Sequence, residues 1–286
     1  MNKGVVGVIG GDAEGTHLDI VADLANALNQ GYEMRILPIV GEGSVRNVED
    51  LIFLRGIDLA IVQSDVLDFY RQNDLIPGAS SQIRYVARLF DEEVYLLTGK
   101  DTVSVDELEG KRVNFGPEGD GSFLTAGIVF AALGVNVDVT TDPHNVALAK
   151  LESRDIDAMV AIGGKPTPLL QSIDQSADLH LLDLDAGRIK SAYIPSSVSN
   201  QDYPDLVEPG QTIETVAVPA VLAAYNWPLN HQRGEKVQRF VTRLLDGGFE
   251  RLLQPPFHPK WREVDLNADV PGWQRLDLVE RYLASR

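Results

Sequence analysis

One order of signals occurs twice along this chain, and it restricts the fold more than any other feature. Val5 to Ile9 is a short apolar run, followed by the glycine loop Gly10-Gly11-Asp12-Ala13-Glu14-Gly15-Thr16. Leu18, Val21, Leu24 and Leu28 then recur at near-helical spacing, so a helix is expected from about Thr16. The order returns at Val113 to Phe115, with Gly116-Pro117-Glu118-Gly119-Asp120-Gly121-Ser122 and a helical pattern through Leu124, Ile128 and Ala131. Each copy has a downstream echo. Arg55-Gly56-Ile57-Asp58-Leu59-Ala60-Ile61-Val62 and Arg154-Asp155-Ile156-Asp157-Ala158-Met159-Val160 both end a helix and start a strand. Alternating strand and helix signals predict βαβ units and parallel sheet, and two copies predict two lobes of similar design.

Two further apolar runs, Val94 to Leu97 and Thr215 to Leu222, are read as hinge strands that carry the chain from lobe to lobe. On this reading residues 1–97 and 215–286 form lobe 1, and residues 98–214 form lobe 2. The stretch from Gln254 to Arg286 holds Pro255, Pro256, Pro259, Pro271 and two tryptophans. It reads as an irregular wrap over lobe 1, finished by a helix with Leu276, Leu278, Val279 and Leu283.

Composition excludes several functions. A net charge of −17 opposes nucleic acid and anionic lipid at long range. No stretch approaches the ~20 apolar residues of a membrane span, so no direct membrane insertion is expected. There is no cysteine, which removes disulfides, thiolate nucleophiles and Cys-ligated metals. His17, His144, His180, His231 and His258 are scattered without a zinc spacing, and no G-x-S-x-G elbow occurs. No catalytic residue, metal or cofactor is expected.

In open α/β sheets, ligands sit beyond the carboxyl ends of the strands, where helix N-termini present amides to anions. The glycine loops fall there. Gly15, Thr16 and His17 open the first helix, where Thr16 serves either as an N-cap or as a ligand contact. Ser44, with Asn47 three residues on, resembles a capping arrangement. Glu42 would repel an anion unless it turned away, and Arg46 either offsets it or is a solvated helix charge. Gln63 and Ser64 follow a buried strand directly and are read as functional, with Asp65 favouring the helix dipole. Gly119, Gly121 and Ser122 fit an amide nest for one carboxylate or a tight turn. In Lys165-Pro166-Thr167-Pro168, Lys165 is a counter-charge or a surface lysine, and one proline suits a first helical turn. Arg88 is a salt-bridged structural arginine or a partner of the ligand carboxylate.

These segments resemble the TAXI family, the substrate-binding proteins of one class of tripartite ATP-independent periplasmic (TRAP) transporters. The resemblance runs collinearly from about Val5 to Tyr225, and its most specific pieces are Ile61-Val62-Gln63-Ser64-Asp65 and Thr215-Val216-Ala217-Val218-Pro219. It implies a type II periplasmic binding protein fold of two βαβ lobes joined by two hinge strands. It also implies a periplasmic, non-enzymatic protein whose signal peptide is missing from this chain. The expected cargo is a small organic anion, glutamate-like or a dicarboxylate, caught in the trap and handed to the permease subunits. By position it places Gly15, Thr16, Ser44, Gln63, Ser64, Gly119, Gly121, Ser122 and Thr167 around the ligand. The sequence departs from the family at His17-Leu18-Asp19, where Tyr-Tyr-Pro is usual, at Glu42 for a usual glycine, and at Arg46 for a usual acid. A sensor that docks the same trap on a receptor kinase, or an enzyme on the same fold, are the other readings.

Overall fold

The computed structural model describes residues 4–13, 15–29, 34–189 and 193–285; Met1, Asn2, Lys3 and Glu14 lie outside them. In chain order the elements are β1 (Val5–Ile9), α1 (Thr16–Leu28), β2 (Arg35–Ile39), α2 (Ser44–Phe53), β3 (Leu59–Gln63), α3 (Ser64–Gln72), α4 (Ala79–Gln82) and β4 (Ile83–Gly99). There follow β5 (Arg112–Asn114), α5 (Gly121–Leu133), β6 (Asp138–Thr140), α6 (His144–Glu152), β7 (Ala158–Gly163) and α7 (Pro168–Gln171). The chain ends with β8 (Leu179–Leu181), β9 (Ile194–Ser199), β10 (Thr212–Tyr225), α8 (Gln232–Arg243), α9 (Phe249–Leu252) and α10 (Asp277–Ala284). It divides into two compact units, one of residues 1–90 and 219–286, the other of residues 91–218. The run Val94 to Leu97 is part of the 17-residue strand β4, and Thr215 to Leu222 is part of the 14-residue strand β10. The chain passes from unit to unit inside these two strands.

In the first unit β1 runs parallel to β2 and to β3, with Val8 opposite Leu59, while β10 runs antiparallel to β3, with Ala220 opposite Gln63. The apolar runs of β1 and β3 follow from this. A strand flanked on both sides and covered by helices has no polar face, and all five residues of β3 are buried. Helix α1 closes one side with Ile20, Val21, Leu24 and Leu28, packed in one core with Leu59, Ile61, Phe240 and Val241. The C-terminal stretch wraps this unit, as its prolines suggest. Trp261 is buried, and its Nε1 donates to Asp23 Oδ2 at 3.0 Å, as does the His258 amide at 2.7 Å. Burial holds the Asp23 carboxyl above its ordinary range despite those bonds.

In the second unit β5 lies parallel to β6 and to β7, and β7 is antiparallel to β4, with Glu93 opposite Gly163. Strand β9 pairs antiparallel with the first half of β10. Helix α5 packs Ala126, Val129, Phe130 and Leu133 against Val94, Val113 and Val160.

The repeated Ile-Asp echo has one structural duty in both units. The Asp58 amide donates to Gly7 O at 2.8 Å, and Asp58 Oδ2 accepts from Gly7 N at 3.1 Å. The Asp157 amide donates to Arg112 O at 2.8 Å, and Asp157 Oδ2 accepts from Arg112 N at 2.9 Å. Each aspartate thus pins the start of one parallel strand to its neighbour. Asp58 is 1% exposed and is also paired with Arg233, whose Nε lies 2.9 Å from Oδ1.

Replacing Asp58 by Ala leaves the Arg233 charge without its carboxylate and the Gly7 amide without its side-chain acceptor, so urea unfolding should show a loss of about 3 kcal/mol. Asp157→Ala, at a half-buried site with no ion-paired cation among the described residues, should lose only about 1 kcal/mol. Equal losses would show that the buried ion pair adds nothing to the pin.

Candidate functional site

In the first unit the carboxyl ends of the parallel strands lead straight into helices. Gly15 is the N-cap of α1 in an extended conformation (φ −93°, ψ 147°) and makes no side-chain cap, so Thr16 is the first helical residue and not the cap. Thr16 and His17 are both buried, at 3% and 8% exposure. The helix start lies tight on the end of β1, because a Cβ on Gly10 would come within 2.9 Å of Leu18 Cα.

Ser44 does not cap α2. The N-cap is Gly43, whose φ of +117° suits glycine, and it makes no side-chain cap. The Ser44 hydroxyl instead accepts from the Gln63 amide at 3.1 Å, which ties the start of α2 to the end of β3. Asn47 fixes the same edge, donating from Nδ2 to Gly10 O at 2.6 Å and to Ile61 O at 3.0 Å. Gln63 and Ser64 sit where β3 becomes α3, and both are buried. Gln63 Oε1 has no hydrogen-bond partner among the described residues. Asp65 lies in the first turn of α3, its carboxylate accepting from the Val66 amide at 2.8 Å. Arg46 is spent on its own helix, at 3.0 Å from Glu49 and 3.4 Å from Asp50, so it is a helix charge rather than an offset to Glu42. Arg88 is half-buried in the first-unit part of β4.

In the second unit Gly116 follows β5 with φ +85°, a left-handed turn before α5. Asp120 is the N-cap of α5, and its carboxylate accepts from the Ser122 amide at 3.2 Å. The expected nest of Gly119, Gly121 and Ser122 therefore loses one amide, because an acidic side chain already holds it. Gly121 is the first helical residue, and Gly119 lies half-exposed in the loop. Ser122 is 2% exposed, and its hydroxyl has no partner among the described residues. Asn114 shapes the next loop: Oδ1 accepts from Asp142 N at 2.8 Å and from Thr140 Oγ1 at 3.1 Å, and Nδ2 donates to Asp142 O at 3.1 Å. This clamp sets the start of α6, whose first residue is His144.

Beyond β7, Lys165 donates to Ser197 O at 2.7 Å and lies 3.8 Å from the buried Glu93 carboxylate. Its charge is answered within the unit, so it is neither a surface lysine nor an isolated counter-charge. The Lys165–Pro166 bond is cis, and Pro168 takes the first helical position of α7. Thr167 is buried, and its amide donates to the Tyr203 hydroxyl at 2.8 Å, which donates in turn to Tyr95 OH at 3.1 Å. Burial pushes the Tyr203 hydroxyl up to about 12, so it keeps its proton.

The structure thus places Gly15, Thr16, His17, Ser44, Gln63 and Ser64 at the strand ends and helix starts of one unit, and Gly119, Gly121, Ser122, Lys165 and Thr167 in the loops and helix starts beyond the strands of the other. Sequence reasoning missed Asn47 as a clamp, Asn114 and His144. For Asn47 the only local signal was its spacing from Ser44, which suggested a different duty.

The chain belongs to the NMT1-like family, whose model matches residues 10–228. Among solved structures it is similar to the periplasmic binding protein BugD, at 12% identity and a TM-score of 0.60, covering 98% of this chain and 94% of that one. It is similar to the ligand-binding component of an ABC-type import system from Staphylococcus aureus with zinc bound (13%, TM-score 0.56, 98% and 84%). It is also similar to the periplasmic aliphatic sulphonate binding protein SsuA from Escherichia coli (18%, TM-score 0.51, 99% and 79%). The mixed α/β architecture is that of the periplasmic binding proteins.

A buried carbonyl oxygen without a partner costs about 1–3 kcal/mol. Gln63→Met removes that oxygen at similar volume, so the unliganded protein should be unchanged or up to about 1 kcal/mol more stable in urea. A loss of 2 kcal/mol or more would mean that the Gln63 amide holds the fold together.

Proposed function

We propose that this NMT1-like chain is an extracytoplasmic solute-binding protein that captures a small organic anion, a dicarboxylate or a glutamate-like amino acid. We propose further that it delivers the anion to the permease subunits of a TRAP transporter as a member of the TAXI class. The observation that carries the reading is the placing of buried polar atoms without partners at helix starts, Gln63 Oε1 in one unit and Ser122 Oγ in the other. Groups kept dry and unpaired at the carboxyl ends of parallel strands are groups waiting for a ligand.

On this reading Gly15, Thr16, His17, Ser44, Gln63, Ser64, Gly119, Gly121, Ser122 and Thr167 supply amides and short polar side chains to the ligand. Arg88 supplies the balancing charge. Lys165 contributes a hydrogen bond more than a net charge, because Glu93 stands beside it. The sulphonate-binding neighbour supports an acidic cargo, since its ligand class is a small organic anion.

A melting screen against amino acids, di- and tricarboxylates, keto acids and inorganic anions tests this directly. A ligand at a hundredfold excess over its Kd stabilises the folded state by about 2.7 kcal/mol, a rise of about 5 °C or more. One organic acid should give such a rise in the wild type, and Gln63→Ala should abolish most of it. Silence across the whole panel, after unfolding and refolding to strip any carried-over ligand, would contradict the reading.

A further inference from the structure

The first unit holds a cavity that none of the candidate binding residues lines. Its volume is about 270 Å³, and its walls are the segment after β10, the first half of α8, and α10 with the residue before it. Trp227, Leu229, Val237, Leu276 and Leu278 give it an apolar lining. Strand β10 sets this cavity at the far end of the sheet from Gln63. Ala220 lies opposite Gln63 and Ala224 opposite Leu59. Tyr225, which also lines the cavity, is thus roughly 17 Å along the strand from the level of Gln63. Helices α8 and α10 follow residue 228, where the match to the family model ends. The cavity is therefore built largely by a part of the chain that the family pattern does not cover.

The walls are held in place. Trp227 stacks on His231 with ring centroids 4.4 Å apart, meets Tyr225 at 4.5 Å and lies under the Arg233 guanidinium at 4.8 Å. Arg233 itself is committed to Asp58 at 2.9 Å. Gly234 lets α8 start hard against this segment, since a Cβ there would come within 2.2 Å of Pro228 O. An apolar cavity of ~150 Å³ suffices for benzene, so this one has room for a ring or a branched alkyl group.

The rim carries one charge of each sign. Asp277 and Arg281 both line the cavity and are exposed. Four residues apart on α10, they share one face, about 6 Å apart at Cβ. Arg281 Nε donates to Asp277 O at 3.2 Å. Neither the guanidinium nor the Asp277 carboxylate is in an ion pair among the described residues.

We propose that this cavity is a second ligand site, separate from the strand-end residues, and that it takes a free amino acid with a large apolar side chain. The side chain enters beside Trp227, Leu229 and Leu278, while Arg281 meets the carboxylate and Asp277 the ammonium. The apolar walls alone would accept any small hydrocarbon, and the opposed charges of the rim select the zwitterion.

Isothermal titration of the full chain with L-phenylalanine, L-leucine, phenylacetate and phenethylamine tests this. At least one of the two amino acids should bind the wild type, and phenylacetate and phenethylamine, each lacking one charge, should bind more weakly. Arg281→Gln and Asp277→Asn should each weaken the amino acid about threefold, the scale of an exposed charge contact. Leu229→Trp, which fills the cavity from its rim, should abolish binding. Leu229 and Arg281 are exposed, so the unliganded melting temperatures of their variants should stay at the wild-type value. Gln63→Ala, at the other end of the sheet, should bind the amino acid as the wild type does. Silence of both amino acids, or equal binding of phenylacetate, would overturn the site. So would amino-acid binding that Gln63→Ala removes and Leu229→Trp keeps, which would assign it to the strand-end residues and leave the solute-binding reading standing.

Discussion

Each unit depends on one aspartate that pins the start of one parallel strand to its neighbour. Parallel strands have slanted, evenly spaced hydrogen bonds and no tight turn to set their register. Asp58 and Asp157 supply what a turn would: a backbone bond in each direction and a carboxylate on the neighbouring strand's amide. With register fixed there, β1 ends beside Ala60 while β3 runs on to Gln63, and β5 ends beside Met159 while β7 runs on to Gly163. The loops that follow these strands carry candidate binding residues. The cost differs in the two units. Asp58 is nearly dry and needs Arg233 from α8, which draws the C-terminal part of the chain into the first unit's fold. Asp157 keeps access to water and has no such partner among the described residues.

At the other end of the strands the polar accounting is incomplete among the described residues. Asparagines do the clamping: Asn47 bridges the ends of β1 and β3, and Asn114 bridges the end of β5 to the turn before α6. Around these clamps sit Asn47 Oδ1, Gln63 Oε1, Ser122 Oγ and His144 Nε2, buried and without a hydrogen-bond partner among the described residues. Such atoms lower the stability of the unliganded chain. They are also arranged in advance, so a ligand that satisfies them has little side-chain ordering left to supply.

Much of the scaffold was legible because it is written in periodicity. The apolar run Val5 to Ile9, the helix from Thr16 and the doubled Ile-Asp echo all appear where the pattern put them. Strand β4 was seen only from Val94 onward, because Arg88, Asp91, Glu92 and Glu93 break its apolar character, although the strand runs unbroken from Ile83 to Gly99. The roles of single side chains were less legible, for a physical reason. A serine beside a helix start has a local option, capping, and distant ones. Ser44 takes a distant one, the amide of Gln63, which no local window contains. Ser122 loses its amide to Asp120 but keeps its hydroxyl unpaired, a distinction invisible in Gly-Asp-Gly-Ser. His144 carried no metal spacing, and its place at the start of α6 follows from the turn that Asn114 holds, a contact no local window contains.

Amide hydrogen exchange of the full chain, with and without the organic acid that most raises its melting temperature, tests the central claim most directly. Ligand held by the strand-end residues should slow exchange in the first turns of the helices that carry them, α1 and α3 in the first unit and α5 in the second. Protection placed away from these helix starts would contradict the account.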